Sequence, residues 1–359
     1  MRNPPPPQVC NNGPKEGNFE EAEEDDLSRR ATIRDVAEAA GVSKATVSRV
    51  LAGNYPVSRE TADRVRAAVD LLSYSAKASA RSLATGRADA FAVVVSEPLA
   101  TFFADPTFAR ILQGITDTLG STEIAPILLP TATPEEQAKA LRLITSRTVD
   151  AVIHLSPWTD QGLLVSLLHE QIPVIICGQD ARFESAGRFS FVYSDDRVGG
   201  RTAAEHLKST GRRKPLAVLG TPSQQAAQDR YIGYTEIFPD LDHARTRWGG
   251  WGVADGRAAM TDLLSRHLEF DAVLAGSDRI ARGVIEVLHE AGLDVPREIA
   301  VIGYDDDPSA INAAPTITTI AQPMHEQGAV ACAIALEMIE GGPSRTEILP
   351  TLLRERQSA

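Results

Sequence analysis

At 359 residues and 43% hydrophobic content, the chain suits a small domain plus one large or two medium ones, because single cores rarely grow beyond about 250 to 300 residues. No stretch approaches the roughly 20 uninterrupted apolar residues of a membrane helix, and residues 1–26 hold neither an apolar signal core nor a cleavage site, which predicts a cytoplasmic protein without a membrane partner. A net charge of −12 argues against nucleic acid if it is evenly spread, while three separated cysteines (Cys10, Cys177, Cys332) and seven scattered histidines form neither a disulfide framework nor a metal site.

Residues 1–29 combine a run of four prolines, Asn/Gly turns and an acidic stretch, a composition that cannot offset chain entropy and reads as a disordered tail. The charge then reverses. Residues 29–87 carry eleven basic against five acidic side chains, a net +6 that leaves −18 for the remainder. A basic segment on an acidic body is the footprint of a protein that presents one end to phosphates.

From Thr32 the pattern is helical. Thr32 and Asp35 make a box-like start, Ile33, Val36, Ala37 and Ala40 fall on one face, and Gly41 ends the segment. A second helix opens at Ser43 and runs through Val47, Val50 and Leu51; a third follows Ser58 with Val65, Val69 and Leu72 apolar. Two short helices joined by a glycine turn make a helix-turn-helix, whose second member enters the major groove. Lys44, Ala45 and Arg49 are the candidates for base edges, since Lys or Arg pairs with guanine O6/N7 and an alanine can touch a thymine methyl; Thr46, Ser48 and Asn54 suit phosphate positioning. The rival reading is an amphipathic hairpin whose charges are merely solvated.

The stretch 32–51, with Asn54, Val57, Ser58, Thr61, Val65 and Tyr74, closely resembles the headpiece of the lactose-repressor/galactose-repressor family. Residues 78–87, which include Arg81, resemble that family's hinge helix, and Leu83 matches the leucine that the family pushes into the minor groove. Ala76-Lys77 departs from the usual Pro-Asn, and a plain linker with one buried leucine is the bland alternative.

After Ala90 the texture becomes alternating β and α. Apolar runs at 91–95, 124–129, 151–153, 174–176, 216–219, 272–274 and 299–302 predict seven buried strands in two doubly wound parallel sheets. No GxGxxG or GxxxxGK[ST] loop follows any of them, so no dinucleotide or nucleotide cofactor is expected. The region 90–359 resembles the family's two-lobed, periplasmic-binding-protein-like sensor, which implies a ligand in the cleft between lobes. On that resemblance Arg230 and Asp305 would hold effector hydroxyls, Trp251 would stack on a sugar ring, Asp195 matches the family's Asp-x-x-x-Gly, and Phe103 and Trp158 are candidates for the other lobe. Ser277 stands where the family normally has asparagine. The bland readings are helix caps for Asp195 and Asp278, a surface ion pair for Arg230 and a core position for Trp251.

The expected organisation is a tail at 1–29, a headpiece at 30–75, a hinge at 76–87, one lobe at 88–210 and 322–350, and another at 211–321 and 351–359. The function so implied is a sequence-specific repressor that binds operator DNA as a homodimer or higher oligomer, controlled by a small-molecule effector, a carbohydrate by resemblance. The alternatives are a transporter's solute-binding protein, which residues 32–85 disfavour, and a sugar-processing enzyme using Asp305 and Asp306. With no nucleophile elbow, metal cluster or phosphate loop, neither catalytic residues nor a cofactor are expected.

Overall fold

A computed structural model describes residues 31–52, 56–72, 74, 87–155, 162–184 and 187–359. The tail at 1–29, nearly all of the 76–87 hinge, Asn54, Arg81, Leu83 and Trp158 lie outside them. The chain divides into two units, 1–86 and 87–359.

The first unit holds α1 (Ile33–Ala40), α2 (Lys44–Ala52) and α3 (Arg59–Leu71). Each start is chemically marked. The Thr32 backbone N–H donates to Asp35 Oδ2 at 2.7 Å, Ser43 Oγ accepts from the Thr46 N–H at 3.1 Å, and Ser58 Oγ accepts from the Thr61 N–H at 3.3 Å. Gly41 closes α1 with φ of 62°, and the Val42 N–H reaches back to the Ala37 carbonyl at 2.9 Å, so the turn into α2 depends on a left-handed residue. Val36, Ala37, Ala40, Val47, Val65 and Ala68 form the buried centre of this small unit.

The second unit contains two six-stranded sheets. The first has the order β11-β5-β4-β3-β1-β2, from β1 (Ala90–Val95), β2 (Ala125–Pro130), β3 (Ala151–His154), β4 (Val174–Cys177), β5 (Ser190–Ser194) and β11 (Thr346–Leu349). The second has the order β12-β10-β9-β8-β6-β7, from β6 (Pro215–Leu219), β7 (Thr246–Trp248), β8 (Ala272–Ala275), β9 (Ala300–Asp305), β10 (Thr318–Ala321) and β12 (Leu352–Arg354). Only the β10–β12 pair is antiparallel among the described pairs. β1 is buried at every position, with Phe91, Val93 and Val95 in one core and Ala90, Ala92 and Val94 in the core on the opposite face. Helices on both faces explain why the central strands read as unbroken apolar runs.

The seven runs correspond to β1, β2, β3, β4, β6, β8 and β9, and five further strands join them. β5 and β10 escaped because buried serines and threonines interrupt their apolar pattern, and β7 and β12 are three residues long. The seams also differ from expectation. Helix α9 (Asp196–Ser209) falls within the range expected for the first lobe, but Ala203, Ala204 and Leu207 pack with Ala217, Leu219 and Tyr234 of the second, so that lobe begins near residue 196. The C-terminal segment forms two strands, β11 in one sheet and β12 in the other. The chain therefore crosses between lobes near 195, 322 and 350.

Candidate functional site

Two surfaces carry the chemistry, one in each unit. On α2, successive residues advance about 100° around the axis, so Lys44, Ala45, Ser48 and Arg49 fall within an arc of about 140°. All four are exposed, while Val47 on the other side is fully buried. Lys44 stands in the first turn with no acidic residue beside it, where a cation adds to the positive end of the helix dipole instead of offsetting it. That placement is unhelpful to the helix and favourable to an incoming phosphate or base acceptor. The Thr46 hydroxyl lies 2.9 Å from Ser43 Oγ at the same helix start.

In the second unit, a cavity of about 650 Å³ opens between the lobes at the C-terminal ends of their strands. Its second-lobe wall is built around Arg230 on α10 (Gln225–Ile237), which is 4% exposed. Its Nε donates to Asp196 Oδ1 at 2.8 Å, one Nη donates to the Gly276 carbonyl, and the same Nη lies 3.6 Å from Asp305 Oδ1. The guanidinium carbon lies over Tyr304, 3.7 Å from the ring centroid. Burial works against its charge, but Asp196 and Asp305 more than compensate and hold it protonated above its ordinary range. Close helix packing makes this possible: a Cβ on Gly200 of α9 would stand 2.4 Å from the Arg230 carbonyl oxygen, so only glycine lets α9 and α10 approach.

Asp305 ends β9 with φ of 102°, and Asp306 follows at 56°. Two consecutive non-glycine residues in the left-handed region are backbone strain located at a cleft. Burial pushes the Asp305 carboxyl up to about 7, with Arg230 pulling it back and Asp105 and Asp307 adding to the rise. Gln322, where the chain recrosses, donates to Asp305 Oδ1. Trp251 lines the same wall half-buried, its Nε1–H donating to Gln224 Oε1 and its ring lying against Gly220, where a Cβ would come within 2.1 Å.

Arg230, Asp305 and Trp251 are thus brought together on one wall of the cavity. Three other candidates are not. Asp195 caps α9, accepting from the Val198 N–H at 3.0 Å; the cavity residue is the adjacent Asp196. Phe103 is 69% exposed on α4 (Leu99–Ala104), set edge-on to the buried Phe102 and turned away from the cavity. Ser277 is buried beneath the wall, where it caps α12 (Asp278–Glu290) through the Ile280 N–H and donates to the Trp251 carbonyl at 3.2 Å. Asp306 is occupied by Arg356. Sequence reasoning missed Asp105 and Arg279, which meet across the cleft in an ion pair between α5 (Pro106–Leu119), which Asp105 caps, and α12. The one available signal was the Asp-Pro step, a typical helix start. Among the described residues no group of histidines, cysteines and carboxylates is arranged to hold a metal, and no helix is long and apolar enough to cross a membrane.

Residues 32–77 match the bacterial regulatory proteins of the lacI family, and residues 204–359 match the periplasmic binding protein-like domain. The HTH-type transcriptional regulator CelR of Thermobifida fusca is 32% identical over 336 residues, spanning 92% of this chain and 98% of its own length. The chain belongs to the lacI family. Another relative of this lacI-family regulator, GalS of Salmonella typhimurium, is 30% identical over 338 residues, 91% of this chain and 96% of its own. Both relatives are transcriptional regulators. Among solved structures, a complex of CelR with cellobiose superposes with a TM-score of 0.72 at 31% identity, covering 92% of this chain and all of that one. The lac repressor dimer bound to operator shares the fold, with a TM-score of 0.77 at 23% identity over 92% of this chain and 99% of that one. This lacI-family member is accordingly a DNA-binding transcriptional regulator with a helix-turn-helix unit and a two-lobed α/β sensor.

Proposed function

We propose that the regulator is a homodimeric repressor whose cleft binds a carbohydrate larger than one ring and whose α2 reads a two-fold operator. The observation that carries the effector reading is the buried Arg230, held between Asp196 and Asp305 beside the half-buried Trp251. A carboxylate and a guanidinium side by side accept from and donate to neighbouring hydroxyls, and an indole face covers the apolar side of a pyranose. The 650 Å³ cavity equals the volume of roughly twenty waters at about 30 Å³ each, more than the dozen or so heavy atoms of a hexose displace. A disaccharide fits better, and cellobiose, bound by the relative CelR, is the first to try.

On DNA, Lys44, Ala45 and Arg49 meet base edges, while Thr46 and Ser48, with Asn54, Arg81 and Leu83 from the segments outside the described residues, position the backbone and the minor groove. A two-fold operator calls for two copies of the chain. The effector acts through its different affinities for the DNA-competent and DNA-incompetent states. The test is a footprint on the regulator's own genomic region, repeated with cellobiose and a panel of neutral sugars. A footprint that one sugar abolishes or strengthens supports the reading; no preferred duplex over random competitor at moderate salt, with or without sugars, overturns it.

A further inference from the structure

We infer that the cleft is built for an uncharged saccharide and rejects phosphorylated ones, and that Asp105, by neutralising Arg279, sets this selectivity. The inference rests on the carbohydrate reading above. Five carboxylates line the cavity (Glu97, Asp105, Asp196, Asp255 and Asp305) against two guanidinium groups, Arg230 and Arg279. Both cations are already matched. Arg230 is shared by Asp196 and Asp305, and Arg279 pairs with Asp105 through one Nη while its Nε lies 3.6 Å from Asp307 Oδ2. Even a protonated Asp305 leaves the carboxylates in excess.

Two of the helix starts facing the cleft are closed to anions as well. A helix N-terminus is ordinarily a ready site for phosphate, because its free N–H groups and dipole favour negative charge. At α5 that place is taken by the chain's own Asp105, whose Oδ1 accepts from the Thr107 N–H at 3.0 Å and from the Thr107 hydroxyl at 2.6 Å. At α11 (Val253–Ser265) the Asp255 carboxylate sits over the first turn and accepts from the Gly252 N–H at 3.0 Å. A phosphoryl group entering the cleft thus meets net negative charge in a partly desolvated space, where like charges are strongly penalised.

Asp105 is the residue to change because its two oxygens have separate partners. Oδ1 caps α5 and Oδ2 holds Arg279. Asp105→Asn keeps an acceptor for the cap, removes one negative charge and releases the Arg279 guanidinium into the cleft. The experiment is calorimetric titration of the full-length chain with neutral mono- and disaccharides, cellobiose first, and with their 6-phosphates. The native chain is expected to bind a neutral sugar and to bind its 6-phosphate at least about tenfold more weakly. Asp105→Asn should improve the phosphorylated sugar relative to the neutral one by about tenfold or more. Adding Arg279→Gln should cancel that gain. A native chain that binds the 6-phosphate as tightly as the neutral sugar, or an Asp105→Asn chain with unchanged preference, overturns the inference while leaving the carbohydrate reading intact. Silence toward both classes overturns the carbohydrate reading and this inference with it.

Discussion

At the scale of single residues, the cleft shows how one position along the chain changes a role. Asp195 and Asp196 are adjacent, yet the first is used up capping α9 and the second faces Arg230. Neighbours at a helix start point about 100° apart, so motif matching selects the right turn without selecting the right side chain. Asp305 carries a prediction of its own. Its carboxyl is raised to about 7 by burial, opposed by Arg230 and Arg279 and reinforced by Asp105 and Asp307, with Gln322 donating to it. Only the ionised form accepts from two neighbouring hydroxyls without competing through its own proton. Protonation dominates below 7 and ionisation above it, so affinity for a neutral sugar should be about tenfold weaker at pH 6 than at pH 8, and Asp305→Asn should bind weakly with a flat profile. Titration across that range checks both. On α2, Lys44→Ala and Arg49→Ala should each cost about 1–3 kcal/mol of operator binding in a mobility-shift assay and leave sugar affinity unchanged.

At the scale of elements, legibility followed locality. The three helices of the first unit could be read because Thr32, Gly41, Ser43 and Ser58 sit within a few residues of the ends they fix. The parallel core strands could be read because burial on both faces leaves no alternation to misjudge. β10 could not, because Thr318 and Thr319 are wholly buried polar residues, and the partners of Thr318 come from a distant segment, Ser358 and Arg356. The Asp105–Arg279 pair joins residues 174 positions apart, a separation no local pattern encodes. The packing of α9 on α10 gives a prediction at this scale. Gly200→Ala would drive a methyl to 2.4 Å from a backbone oxygen, so the helices must separate at a cost of about 1–3 kcal/mol. Lower thermal stability accompanied by weakened sugar binding is expected, because the same movement pulls Asp196 from Arg230. Unchanged melting would mean the helix contact is looser than described.

Across the whole molecule, charge separates the two tasks. A +6 segment at 29–87 is joined to a −18 remainder, so operator affinity should fall steeply with added salt as released counterions cease to drive binding. Affinity for a neutral sugar should hardly change over the same range. Parallel titrations at low and moderate salt test this, and equal sensitivity of both would contradict the division.

The backbone passes between the lobes at three places, near 195, 322 and 350. Three tethers side by side behave like the pins of a door: they permit swinging about a shared line and resist sliding. Cutting the chain at any one leaves the lobes held by the other two. A sugar drawing the lobes together can therefore act only as a turn about that line, which makes the residues beside the pins, Gln322 and Asp195 among them, the places where a small change would alter how far the door swings.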